Sequence, residues 1–219
     1  MTLSRPALRR IYDRVGRWQD TQSVYETPAL DALVANAPFG TMHALFELGC
    51  GTGRLAARLL RNHLPSNARY VGVDLSATMT RHARHRLVPF SPRASVRHTD
   101  GRLRFPDPGN AFDGVLATYV LDLLPHNDIQ TMLDEAHRLL RPDGRLCLAG
   151  LTHGQALVSR GASALWSAVH QIAPALVGGC RPLDSRPFLQ ADGRWHVEHH
   201  DIVTGAGIPS EVVVARARR

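Results

Sequence analysis

Glu47, Gly49, Gly51 and Gly53 stand together in Leu45-Phe46-Glu47-Leu48-Gly49-Cys50-Gly51-Thr52-Gly53-Arg54. Glycine reaches positive φ without a Cβ clash and lets a ligand approach the backbone closely. A helix starting near Gly53 would turn unpaired N–H groups and a positive dipole end toward that ligand. The spacing is G-x-G-x-G, not the G-x-G-x-x-G of dinucleotide sites. Glu47 adds a second distinction. A carboxylate there would repel a pyrophosphate and suits a ligand that carries an ammonium or another positive group. Asp74 falls at the end of a second apolar run, Arg69-Tyr70-Val71-Gly72-Val73-Asp74. Open α/β sheets bind ligands at that rim, and an acid there can accept from both ribose hydroxyls. NAD enzymes use the same device, so Asp74 points to an adenosine ligand without choosing one.

The elements that must position these residues are legible as alternating strands and helices. Ala44 to Leu48 is short and mostly apolar, as an inner parallel strand should be. Arg54 to His63 reads as a helix stopped by Pro65. Arg69 to Asp74 is the second strand, and Ser76 caps a helix over Ala77 to Leu87. Ala94 to His98 is a third strand and Phe112 to Tyr119 a fourth. Asp128 to Leu140 is an amphipathic helix, ended by Arg141-Pro142-Asp143-Gly144. Arg145 to Gly150 is a fifth strand. Before the first strand, Ala7 to Trp18 and Pro28 to Ala37 read as helices, with Thr27 as N-cap and Pro28 at the first helical position. Tyr12, Trp18 and Tyr25 there could form a lid or pack on the sheet edge. Ala156 to Val177 is an expected helix with Trp166 and His170 on one face, and Pro182 to Leu189 a shorter helical piece. Arg194 to Val203 and Glu211 to Arg216 are closing strands around Gly205-Ala206-Gly207.

The stretch from Leu45 to Gly53 resembles the first motif of the class I S-adenosylmethionine-dependent methyltransferases. Asp100-Gly101-Arg102-Leu103-Arg104-Phe105 resembles that family's D-(A/G)-x-x-L-P-F, with Leu103-Arg104-Phe105 in place of Leu-Pro-Phe. Leu139-Leu140-Arg141-Pro142-Asp143-Gly144-Arg145-Leu146 resembles its L-L-x-P-G-G-x-L, Asp143 replacing a glycine. The resemblance covers Ala44 to Gly150 best. It implies an α/β fold: a doubly wound, Rossmann-like sheet of seven mostly parallel strands in the order 3-2-1-4-5-7-6, with strand 7 antiparallel. Residues 1–43 would be an N-terminal helical cap and residues 44–219 a single methyltransferase domain. The implied cofactor is S-adenosylmethionine, held by Glu47, Gly49, Gly51, Gly53, Asp74, Leu75, Asp100, Gly101 and Thr118. Asp100 would accept from the adenine amino group.

The implied reaction is an in-line displacement at a methyl carbon, with a small molecule as acceptor. A base is needed only if the acceptor must lose a proton. Tyr119, Asp122, His126 and His153 lie near the ends of strands four and five. Tyr119 and His153 are the catalytic candidates, His153 foremost because it follows the fifth strand. No Asn/Asp-Pro-Pro-Tyr, Pro-Cys or paired-glutamate hairpin is present, which disfavours adenine, cytosine and protein-arginine acceptors. An NAD-binding oxidoreductase would share Gly49, Gly51 and Asp74 but leaves Glu47 unexplained. A non-catalytic binding domain on the same fold is the third alternative.

Composition narrows the setting. A chain of 219 residues with 44% hydrophobic and 21% charged residues suits one globular domain. No apolar run of about 20 residues exists, so no membrane span is expected, and the first 17 residues lack a secretory apolar core. The net charge is +7, and all 26 basic residues are arginine. Their scatter, and the absence of lysine, suit a codon preference and a solvated surface better than a nucleic-acid patch. Three widely spaced cysteines fit a reducing compartment, so a cytoplasmic location is expected. His196, Glu198 and His200 would share one face of an alternating strand. A polar edge-strand face is the simpler account, and no metal is expected.

Overall fold

The computed structural model describes residues 4–15, 23–154, 166 and 179–218. Seven strands form one sheet in the order β3-β2-β1-β4-β5-β7-β6. They are β1 (Ala44–Leu48), β2 (Arg69–Asp74), β3 (Ala94–His98), β4 (Phe112–Thr118), β5 (Leu140–Leu151), β6 (Trp195–Gly205) and β7 (Ile208–Ala217). β1 to β5 pair in parallel, while β7 lies antiparallel to both β5 and β6. The fold class, strand order and antiparallel strand expected from the sequence are those found. Among the described residues, no helix is long and apolar enough to cross a membrane.

Strand alternation divides the core into two layers. Leu45 faces one side, with Leu33, Phe39, Leu59, Tyr70, Leu116 and Val214. Phe46 faces the other, with Val71, Val115, Ile129, Leu133 and Val213. All five residues of β1 are buried because helices cover both faces. The first layer is closed by α2 (Ser23–Asn36), α3 (Arg54–Asn62) and α4 (Ala77–Leu87). The second is closed by α5 (His126–Leu139) and the short α6 (Arg186–Gln190). α1 (Arg5–Val15) lies against α4.

Three local readings change. α2 begins at Ser23, so Thr27 and Pro28 lie inside it rather than at its start. Pro28 removes one helical N–H, and burial of Ala29, Leu30 and Leu33 against the sheet holds the helix through that loss. β5 begins at Leu140, not Arg145. Leu140 pairs with Phe112 and Arg145 with Gly114, so Arg141 to Gly144 is a bulged excursion within the strand, with Asp143 at φ +61°. A bulge inserts residues without ending the pairing. β6 carries a second irregularity between Val197 and His199. Most of the expected helix from Ala156 to Val177, including His170, lies outside the described residues, as does Trp18.

Candidate functional site

The carboxyl ends of β1, β2 and β4 open onto one cavity, and the glycine turn forms its floor. Gly49, Gly51 and Gly53 all have positive φ: 70°, 52° and 73°. They do different work. A Cβ on Gly49 would collide with Cγ2 of Val120, and one on Gly53 would lie 3.1 Å from Ala83 of α4. Those two glycines allow the turn to pack. A Cβ on Gly51 would meet nothing within 4 Å. Gly51 lines the cavity, so only there does the missing side chain leave bare backbone for a ligand. Gly53 lies outside the lining and ends the turn as the N-cap of α3.

Two carboxylates flank this floor. Glu47 is 2% exposed and accepts a short hydrogen bond from the Tyr70 hydroxyl. Burial pushes its carboxyl up to about 7, the Asp74 charge adds to the rise, and the Tyr70 bond opposes it. Asp74 accepts from the backbone N–H of Gly51 and of Ser76, both at 2.8 Å. Burial raises its carboxyl as well, against those two bonds. One oxygen thus fixes the glycine turn and the other the entry to α4. Each retains a lone pair for a hydroxyl donor. Ser76 caps α4 by accepting from Met79 N–H at 3.2 Å, and its own hydroxyl donates to Asp13 of α1 at 2.6 Å. Asp13 also accepts weakly from Thr78 N–H at 3.4 Å. α1 is therefore pinned over the mouth, where Leu8 and Tyr12 line the cavity.

The opposite wall is aromatic. The rings of Tyr25 and Tyr119 meet edge to face at 5.9 Å, and those of Tyr25 and Trp166 at 6.1 Å. Trp166 donates to the Cys180 carbonyl at 2.9 Å. Tyr119 sits at φ +54°, an uncommon conformation for a bulky residue. Its hydroxyl lies 3.0 Å from Ser210 Oγ. The Cys180 thiol closes this wall, 4.0 Å from the Tyr12 hydroxyl. Behind it, Asp122 is fully buried, and burial pushes its carboxyl up to about 7 despite a bond from Leu151 N–H and the nearby Arg181 charge. Burial likewise keeps Tyr12, Tyr25, Tyr119 and Cys180 protonated at neutral pH.

Of the residues singled out in the sequence, Glu47, Gly49, Gly51, Asp74, Leu75, Gly101, Thr118 and Tyr119 line this cavity. Asp100 and His153 do not. Asp100 is exposed, accepts from Arg102 N–H at 3.0 Å and pairs with the Arg102 guanidinium at 3.2 Å. His153 is exposed beyond β5, and His126 meets the Phe188 ring edge to face at 5.3 Å. Tyr70, Asp13 and Cys180 complete the site without having been expected in it. Tyr70 passes for an ordinary strand residue, and the partners of Asp13 and Cys180 are 63 and 168 residues away in the chain. The bulge at Glu198 breaks the expected alternation of β6. His196 and Glu198 turn to Arg218 and to Arg145 and Arg216, while His200 turns to Glu211. No group of three metal-binding side chains occurs among the described residues.

Residues 45–144 match the family model described as a methyltransferase domain. A trans-aconitate 2-methyltransferase of Azoarcus sp. (strain BH72) is 36% identical over 135 residues, 60% of this chain and 49% of that protein. A demethylmenaquinone methyltransferase of Tropheryma whipplei (strain Twist) is 28% identical over 157 residues, 69% of this chain and 62% of that one. The chain thus spans about half to three-fifths of the length of these relatives. Among solved structures, a geranyl diphosphate methyltransferase in complex with S-adenosylmethionine superposes with a TM-score of 0.64 at 18% identity, over 87% of this chain and 84% of that one. At that identity the likeness shows the fold.

Proposed function

We propose that this chain, whose residues 45–144 match a methyltransferase-domain model, is a class I S-adenosylmethionine-dependent methyltransferase that moves the methyl group of S-adenosylmethionine to a small molecule. One observation carries this reading: a buried carboxylate, Glu47, and a backbone-anchored one, Asp74, flank bare backbone at Gly51 in a single cavity. That donor set fits the cofactor. We assign Glu47 to its cationic amino-acid end, Gly51 to close backbone approach and Asp74 to the ribose hydroxyls. A floor carrying two carboxylates is a poor host for a pyrophosphate. Leu75, Gly101 and Thr118 supply walls on the same rim. Asp100 would need to leave Arg102 to reach an adenine, so we assign it the weakest share.

When bound, the cofactor supplies an electrophilic methyl carbon. The chain's own task is alignment and exclusion of water. The roof of Leu8, Tyr12 and Tyr25 closes the cavity over the glycine floor, which favours a small acceptor over a polymer. Tyr119 presents its ring to the acceptor side, and its bond with Ser210 fixes the ring's position. His153 would have to swing inward to act on an acceptor. Residues 1–43 act as a cap, with α2 built into the core and α1 laid over the mouth. The three unpaired, buried cysteines suit a reducing compartment, and we place the protein in the cytoplasm.

Isothermal titration with S-adenosylmethionine, its demethylated product and NAD tests the assignment. Binding of the first two and not of NAD is expected. NAD binding with neither of the others would overturn it.

A further inference from the structure

The wall of the main cavity opposite the glycine floor carries a charge that the cofactor does not use. Glu26 lines the cavity together with Tyr12, Tyr25, Tyr119 and Cys180. It lies in the first turn of α2, where the helix N-terminus suits a carboxylate. Its position is set from behind. A Cβ on Gly205 would lie 2.5 Å from the Tyr25 carbonyl oxygen, so the β6–β7 hairpin rests on the backbone that leads into Glu26. Burial is the main cause that keeps Tyr25, Tyr119 and Cys180 protonated, and the charges of Glu26 and Asp122 add to it at all three. This wall is therefore at negative potential.

Positive side chains stand at the other end. Among the described residues of the lining, the basic ones are Arg54, which opens α3 after the glycine turn, and Arg102, which follows Gly101 and pairs with Asp100. Both belong to the rim assigned to the cofactor. Arg181 follows Cys180 but turns its guanidinium to the carbonyls of Asp122 and Leu124, at 3.4 and 2.8 Å, and stays out of the lining. An anionic acceptor would thus meet Glu26 with no described basic group beside it, and like charges brought together repel. A cation meets the opposite. The Tyr25 and Tyr119 rings stand edge to face at 5.9 Å, and a ring face attracts a cation. The Tyr25 hydroxyl makes no hydrogen bond among the described residues, so its oxygen can accept from an N–H donor. Leu30 and Leu124 add apolar surface to the same cavity.

Resting on the methyltransferase reading above, we propose that the acceptor is an amine on an apolar framework, bound as its ammonium between the Glu26 carboxylate, the Tyr25 hydroxyl and the tyrosine rings, and methylated at nitrogen. A carboxylate offers about four lone-pair directions, so Glu26 can take the ammonium beside any partner it holds within the chain. The pairing is charge-assisted and directional, which fixes the nitrogen as well as selecting it. Before the transfer the ammonium gives up one proton, which leaves by way of half-buried Glu26 to water at the mouth. The bared nitrogen uses its lone pair to bond the methyl carbon, and the electrons of the old carbon–sulfur bond stay with sulfur. The methylated nitrogen ends with the positive charge that sulfur carried, so the product is again a cation facing Glu26.

Mass spectrometry of methyl transfer to matched probes is the test. The amines are 2-phenylethylamine, tryptamine and benzylamine, and 2-phenylethanol and phenylacetate are their neutral and anionic counterparts. With S-adenosylmethionine present, at least one amine should be methylated at nitrogen, about tenfold or more faster than either counterpart. Transfer to none of the three amines, or equal transfer to amine, alcohol and acid, would overturn the proposal. Glu26→Gln should bring the amine down to the rate of the alcohol, while Glu26→Asp, which keeps the charge, should preserve the amine's lead. Tyr25→Phe should slow the amine several-fold and leave the alcohol's rate alone. A lead that survives Glu26→Gln, or one that Glu26→Asp abolishes along with it, would refute selection by charge at Glu26. Calorimetry of S-adenosylmethionine binding on the same proteins keeps the two readings apart: retained binding without amine transfer sinks only this inference.

Discussion

Replacing Glu47 with glutamine should make the ligand-free protein more stable at alkaline pH and a poorer binder of its cofactor. Glu47 sits in the core, its carboxyl raised from an ordinary 4.5 to about 7 by burial. A carboxyl raised on folding holds a proton in the native state that the unfolded chain has already released. Ionised Glu47 therefore costs nothing below the unfolded pKa, a growing amount from 4.5 to 7, and its full amount above that. A rise of about 2.5 pK units, at about 1.36 kcal/mol each, amounts to about 3 kcal/mol at pH 8 and about 1 kcal/mol at pH 5. Glutamine can still accept the Tyr70 hydroxyl bond but never ionises. The difference in unfolding free energy between Glu47→Gln and wild type should therefore move by about 2 kcal/mol in the variant's favour from pH 5 to pH 8. For a chain of this size that is about 4–8 °C in melting temperature. Taking the difference between the two proteins cancels Asp122, which titrates in the same window. Denaturant unfolding at both pH values is the assay, with S-adenosylmethionine titration alongside. A difference that stays constant with pH, or that moves the other way, would refute the reasoning about burial.

The glycine turn gives a contrast. Gly49→Ala should destabilise by about 3 kcal/mol or more, since positive φ and the collision with Val120 add, whereas Gly51→Ala should cost about 1 kcal/mol in melting experiments and still lose at least tenfold in cofactor affinity. Asp74→Ala should lose about 1.5–3 kcal/mol of cofactor affinity, and Asp100→Ala much less. Calorimetry of the pair ranks them, and equal losses would return Asp100 to the pocket. Asp13→Ala should speed cofactor dissociation several-fold in stopped-flow displacement with little change in melting temperature, because it unpins α1 from Ser76 without opening the core.

The glycine floor of the cavity was legible because its signals are local. Glu47, the glycines and Asp74 each sit at the end of an apolar run, and a strand's end in an open α/β sheet is also the binding rim. The strand order followed from the resemblance and was met in full. What the sequence hid depends on distance along the chain. Nothing near Cys180 announces that Tyr12 and Asp122 meet it. His153 has the right position in the order of elements, yet its side chain leaves the rim for solvent. The bulge in β6 is equally silent, and one inserted residue was enough to send His200 to Glu211 rather than into a row with His196. Pro28 misled for another reason: it is a good first residue of a helix, but buried neighbours can hold a helix that starts a turn earlier.

The contact between α2 and the β6–β7 hairpin has a consequence for how the molecule comes together. A Cβ on Gly205 would lie 2.5 Å from the Tyr25 carbonyl oxygen, so the backbone of the hairpin rests directly on the helix that carries Tyr25. These two residues are about 180 positions apart in sequence, and closing a loop of that length costs about 5 kcal/mol in chain entropy. β1, β2 and β3 with α3 and α4 need no such closure, since β1 pairs with β2 and β2 with β3 about 25 positions apart in the chain. Assembly should therefore be ordered, with the glycine floor maturing first and the aromatic wall last, when the distant flanks meet. Hydrogen exchange during refolding would then protect the amides of β1 before those of β7. The aromatic wall would then be the side of the cavity most easily opened in the native state.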